Sequence, residues 1–137
     1  MKTKIIAECK KQGIVLDTQI AYVLATAKWE TNHTFKPVKE AYWLSEKWRK
    51  KNLRYYPYYG RGLVQITWKK NYEKFGKLLG IDLVDNPDLA LKPDVAVFIL
   101  VYGMMSGNSR RYVVSVFLLT SLIILLPQTH HRIYWNW

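Results

Sequence analysis

A chain of 137 residues with 21 basic and 10 acidic side chains carries a formal charge of +11, and it is long enough for one small domain with its own core. Its single cysteine, Cys9, excludes an internal disulfide framework. The charge suits polyanionic partners (nucleic acid, anionic lipid or bacterial wall polymer) without choosing among them, and the six Trp and ten Tyr suit cores and sugar faces alike.

The N-terminal apolar run is only Ile5, Ile6 and Ala7, far short of a signal-peptide core, so synthesis in the cytoplasm is the expectation. Residues 2–11 read as a basic helix closed near Gly13. Asp17 or Thr18 is placed to cap a second helix, whose apolar positions Ile20, Val23, Leu24 and Ala27 follow the i, i+3, i+4, i+7 rule. Extending that stripe reaches Glu30 and Thr31 at the C-terminal end of the buried face. Pro37 fits the first turn of a third helix, roughly 37–51, with Val38, Ala41, Tyr42 and Trp48 on its apolar side and Glu40 near its start. After an irregular aromatic stretch, Gly60 and Gly62 mark a turn or a close backbone approach. Residues 63–68 alternate, with Val64, Ile66 and Trp68 opposite Gln65 and Thr67, which predicts a short strand with one polar face. Residues 69–79 predict a helix with Tyr72, Phe75 and Leu79 in phase and Gly80 as its stop. Asn86-Pro87 makes a turn, and Pro93 opens a largely buried helix over 94–105.

Beyond Gly107 the character changes. All ten acids lie between Glu8 and Asp94, and residues 95–137 have none. The run 112–126, between Arg110-Arg111 and Pro127, is shorter than the roughly 20 apolar residues of a membrane span, so a buried helix and a membrane contact are both open. His130 and His131 are adjacent and lack a third ligand, so no metal site is expected. Gly60-Arg61-Gly62 lacks the Lys-Ser/Thr of a phosphate loop, and no cofactor is expected. No nucleic-acid-binding module is recognisable. The basic cluster Lys47, Arg49, Lys50, Lys51 and Arg54 reads as a solvated face first and a wall-binding surface second.

Glu30 and Glu40, ten residues apart, are the type of pair glycoside hydrolysis uses: one carboxyl gives a proton to the leaving oxygen, the other polarises water. Burial at the end of the apolar stripe would raise the pKa of Glu30 as the acid role requires, whereas Glu40, nearer Lys36, Lys39 and solvent, would stay charged. Most helical glutamates are solvated surface groups, so spacing alone does not select this reading.

The segments ATAKWETNHTFKPVKEAYWLSE and YYGRGLVQITWKKNYEKFGKLLGIDLVDNPDLAL narrow the choice. They resemble glycoside hydrolase family 19, closest to its bacterial and phage lysozyme-like branch, over about residues 21–105. The pattern YGRGxxQxTWxxNY at 59–72 is the most specific part. The resemblance implies a mainly α, lysozyme-like helical domain with a small β element near the active-site cleft. It implies Glu30 as general acid, Glu40 as the base that activates water, and Thr67 as the hydroxyl that helps hold that water. Gln65 and Asn71 match sugar-contacting residues, and Tyr59 and Arg61 would shape the cleft. Trp68 of the same motif joins the substrate-binding candidates, although its apolar phase favours the core. The implied reaction is inverting hydrolysis of β-1,4-linked N-acetylated sugars, in peptidoglycan or chitin, by a monomer that reaches the wall after release. Charge and branch favour peptidoglycan, and no specific nucleic-acid partner is implied. Two departures stand out. Trp29 replaces the His usual before the acid, and the tail resembles nothing in the family. The domain reading is therefore 1–106 as a partial catalytic domain and 107–137 as an atypical apolar and basic tail, with a frameshift or recombination near residue 106.

Overall fold

The computed structural model describes residues 1–106. The readings placed on the apolar run 112–126 and on His130-His131 lie outside them. Five α-helices and one 3-10 helix carry the described chain, with a two-stranded antiparallel sheet between them.

Three helices form the core. α1 (Lys2–Lys11) buries Ile5 and Cys9, and its last turn carries Lys10 and Lys11, where cations offset the helix dipole. α2 (Asp17–Glu30) buries Ile20, Val23 and Ala27, as the apolar stripe requires. Neither Asp17 nor Thr18 caps it: the N-cap is Leu16, and Asp17 lies in the first turn, where its charge still favours the dipole. α5 (Pro93–Ser106) buries Ala96, Val97, Ile99, Leu100, Val101 and Gly103. A helix buried around most of its circumference belongs at the centre, and α5 packs against both α1 and α2. Among the described residues no helix is long and apolar enough to cross a membrane.

The third helix differs from its sequence reading. α3 spans Glu46–Asn52, and its cap is Ser45, whose hydroxyl oxygen accepts the Trp48 N–H at 3.1 Å. The residues expected to open it instead form β1 (Val38–Lys39), which pairs with β2 (Arg61–Gly62), Val38 opposite Gly62 and Lys39 opposite Arg61. Ala41 has φ 48°, outside the right-handed helical region, so the chain turns there before α3 begins. Glu40 therefore sits at a strand end, not on a helix.

The strand expected at 63–68 is likewise replaced. β2 ends at Gly62, and the chain curls so that the Ile66 N–H returns to the Arg61 carbonyl at 3.3 Å. The alternation is real in burial, since Val64 and Ile66 are 1 % and 0 % exposed, but a turn satisfies it as well as a strand. α4 (Lys69–Leu79) follows, with Tyr72 and Phe75 in the core. It ends at Gly80, whose φ of 65° is the left-handed cap that glycine adopts without strain.

The 3-10 helix Pro87–Leu91 packs on β2 and α5. Its Asp88 accepts from Lys39 Nζ at 2.9 Å and from Arg61 Nε at 2.7 Å, so one carboxylate ties both strands to this helix. Desolvation pushes the Asp88 carboxyl up, but the bonds from Lys39 and Arg61 outweigh it and hold the group below its ordinary value of 3.8. Its stabilisation is thus present above that value and lost as pH falls through the folded one. The bond to Asp88 holds Lys39 above its ordinary 10.5, against some desolvation, so that contribution is lost only as pH rises through the raised value. Asp88→Asn is expected to lower stability at pH 7 by under about 1 kcal/mol, because Asp88 is largely solvated. The gap to wild type should close in strong acid. Urea midpoints at the two pH values check this, and a gap independent of pH would rule the linkage out.

Candidate active site

Glu40 is a buried carboxylate held on both of its oxygens. Its backbone N–H donates to the Gly60 carbonyl at 2.7 Å, which continues the β1–β2 pairing by one residue. In return the Gly60 N–H donates to Glu40 Oε2 at 2.9 Å, and the Tyr55 hydroxyl donates to Oε1 at 2.7 Å. The Glu40 carbonyl accepts from Arg49 Nε at 2.9 Å. Glu40 is 6 % exposed, not solvated as the sequence suggested. Each carboxylate oxygen uses one acceptor position here and keeps a second, which is what orienting a water would need.

Arg49 corrects the reading of the basic cluster as a solvated face. It is 5 % exposed, and it donates to the Glu40 and Ala41 carbonyls and to the Glu46 carboxylate, each at 2.9 Å. Lys47, Lys50, Lys51 and Arg54 are exposed as expected. Nothing in the sequence separates Arg49 from these neighbours, nor Tyr55 from the aromatic residues around it.

Glu30 is the last residue of α2 and is half-buried. The loop after it is tightly bonded: the Thr31 hydroxyl donates to the Ala27 carbonyl at 2.7 Å and accepts the Phe35 N–H at 2.8 Å, and Thr34 donates to the Thr31 carbonyl at 2.7 Å. Non-glycine residues with positive φ are uncommon, and among the described residues they are Asn32, His33, Phe35, Ala41 and Trp68. Every one lies in the loop after Glu30 or immediately beside Glu40 or Thr67. Strained backbone of this kind gathers where geometry matters for function.

The glycine-rich motif packs closely on itself. A Cβ on Gly60 would lie 2.5 Å from Gln65 Oε1 and 3.1 Å from Gln65 Cβ, so a larger residue there would displace the Gln65 side chain. Gln65 is half-buried, its Nε2 donates to the Val38 carbonyl at 3.1 Å, and its Oε1 is buried without a hydrogen-bond partner. Thr67 is half-buried, and its carbonyl accepts from Asn71 Nδ2 at 2.7 Å.

Three substrate-binding candidates need correction. Tyr59, at 0 % exposure, lies in the core with its hydroxyl donating to Glu46 at 3.1 Å. Arg61, at 4 %, stacks on the Tyr59 ring at 3.7 Å and donates to the Pro57 carbonyl and the Tyr72 hydroxyl. Asn71 is 5 % exposed and spends its amide on Thr67. Residues so enclosed are structural supports and present little surface to a ligand. Trp68 moves the other way: its apolar phase favoured the core, yet it is 39 % exposed. Tyr72 is wholly buried, and its hydroxyl donates to the Tyr59 carbonyl at 2.6 Å. Burial raises that hydroxyl far above its ordinary value, against the pull of Arg61, so it stays a donor at any physiological pH. Among the described residues no three His, Cys, Asp or Glu gather as metal ligands.

The described residues are mainly helical with one small sheet, as a lysozyme-like domain requires. The chain belongs to glycoside hydrolase family 19, described as chitinase class I, which matches residues 25–113. It is similar to chitinase 11 of Oryza sativa subsp. japonica, 55 % identical over 42 residues, 31 % of this chain and 16 % of that protein. It is also similar to the basic endochitinase of Vitis vinifera, 51 % identical over 41 residues, 30 % of this chain and 13 % of that one. A third relative, inactive chitinase-like protein 1 of Hevea brasiliensis, is 49 % identical over 41 residues, with the same shares covered. The matched stretches thus span less than a fifth of these relatives.

Proposed function

We propose that the protein hydrolyses β-1,4 bonds of N-acetylated aminosugar polymers, peptidoglycan or chitin, through the Glu30–Glu40 pair with inversion. The observation that carries this most is the holding of Glu40 by Tyr55 and Gly60 inside the family's own motif. Glu30 is the general acid at the end of α2. Glu40 is the base, and its remaining acceptor positions orient the attacking water together with Thr67. Gln65 is the sugar-contacting residue its motif position implies: its Oε1, buried against Gly60 without a hydrogen-bond partner, would recover free energy by turning outward to accept from a sugar N–H or hydroxyl. Asn71 acts by fixing Thr67. Peptidoglycan, and with it a bacterial or phage wall-lysing role, fits the net charge of +11 better than neutral chitin does.

The test is lysis of outer-membrane-stripped bacteria beside hydrolysis of soluble chitin oligomers, with Glu30→Gln as control. Loss of a general acid is expected to cost about 10²–10⁴-fold. Equal rates for wild type and Glu30→Gln would remove Glu30 from the mechanism. A second reading, a family member that no longer turns over, is supported by one relative bearing the name inactive. In either reading residues 1–106 are the partial catalytic domain, and the tail from near 107 is an atypical replacement. The loss of acids after Asp94 supports a change of character along the chain, and the family match ends at residue 113, seven residues beyond that boundary. If neither alternative DNA frame restores family-like sequence, a frameshift is excluded.

A further inference from the structure

The described chain has three arginines, and two are consumed inside it. Arg49 and Arg61 are buried and paired with Glu46 and Asp88. Arg54 is exposed, and no carboxylate among the described residues lies within ion-pair distance of it. It is nonetheless placed: its guanidinium carbon sits 5.3 Å from the centroid of the Trp68 ring. That ring lies 5.1 Å from the ring of Tyr55, whose hydroxyl donates to Glu40. An unneutralised guanidinium thus lies in cation–π contact with Trp68, two aromatic rings away from the candidate base. No carboxylate among the described residues takes up its fork of N–H donors, the geometry that matches a carboxylate. Lys50 and Lys51 are also exposed and without an acidic partner among the described residues, so the local field is positive.

A neutral polymer of N-acetylglucosamine has no group for such a fork. A polymer in which every second sugar carries a 3-O-lactyl carboxyl, extended by acidic peptides, presents one at each repeat. We infer that Arg54, held by Trp68, forms a subsite for the carboxylate of an acidic N-acetylated glycan and so selects peptidoglycan over chitin. This rests on the hydrolase reading above and adds a residue to it.

The experiment compares wild type, Arg54→Gln and Arg54→Lys on purified sacculi, on sacculi whose carboxyls are amidated with carbodiimide and ammonia, and on chitin hexasaccharide. Wild type is expected to lose about tenfold in kcat/KM on amidation, the scale of one charge-assisted hydrogen bond. Arg54→Gln should show the same loss on native sacculi and no further loss on amidated ones. Arg54→Lys should fall between, since it keeps the charge but not the fork, and the wild-type preference should shrink at high salt. Indifference of wild type to amidation overturns the subsite whether or not the variants fold. So does an equal loss by Arg54→Gln on all three substrates. Wild-type hydrolysis of the hexasaccharide alone would overturn the subsite and leave the hydrolase reading standing. Hydrolysis of none of the three would overturn both.

Discussion

Glu40→Gln is expected to remove hydrolysis by about 10²–10⁴-fold while changing stability by less than about 1 kcal/mol. The two halves follow from different atoms. An amide cannot take a proton from water, so the base is lost. The fold keeps its bonds, because the amide oxygen can accept the Gly60 N–H and the amide nitrogen can donate to Tyr55, whose hydroxyl turns from donor to acceptor. Rates on soluble oligomers and urea midpoints measure the two separately. Full activity in Glu40→Gln would remove Glu40 from the chemistry. A collapse of stability would show the carboxylate to be a structural ion instead.

Arg49→Ala is expected to have the largest effect on folding, about 2 kcal/mol. It strips the donor from the buried Glu40 carbonyl, which costs roughly 1–3 kcal/mol when left unmet, and takes one of two donors from the Ala41 carbonyl, which keeps the Leu44 N–H at 2.9 Å. The Glu46 carboxylate is half-exposed and can return to water, so it adds little. Lys50→Ala, one residue along the same helix, should lie within about 0.5 kcal/mol of wild type, as surface substitutions do. Equal midpoints for the two variants would mean that Arg49 carries no special burden. Activity should fall with stability in Arg49→Ala, because its target is the backbone of Glu40. That separates it from Glu40→Gln, which loses activity alone.

These expectations lean on different readings of the chain. The helices α2 and α4 were legible from their apolar period, α1 from its basic run closed near Gly13 and α5 from Pro93 opening an apolar stretch, and Gly80 gives α4 a stop that a side chain would strain. The candidate pair was legible from the match of WETNHTFKPVKE and YGRGLVQITWKKNY to one family, which residues 25–113 bear out as a family assignment. Glu40 was found by that match and misplaced by periodicity. Pro37 and the apolar residues after it fit a helix start as well as a strand, and the pairing of Val38 and Lys39 with Gly62 and Arg61 decided between them.

The sequence by itself determined the helical core, the family, and which carboxylates to ask about, since these rest on periodicity and on side-chain identity at fixed spacing. Only the tertiary structure decided what holds them. Arg49 and Arg54 stand five residues apart in one basic run, yet the first is buried and bonded to the Glu40 carbonyl and the second is exposed over the Trp68 ring. Tyr59, a cleft candidate by its motif, is closed in the core, and Trp68, a core candidate by its apolar phase, is at the surface. A side chain's worth to a site depends on what lies across from it. Those partners come from distant segments, brought together by the turn at Ala41 and the pairing of β1 with β2.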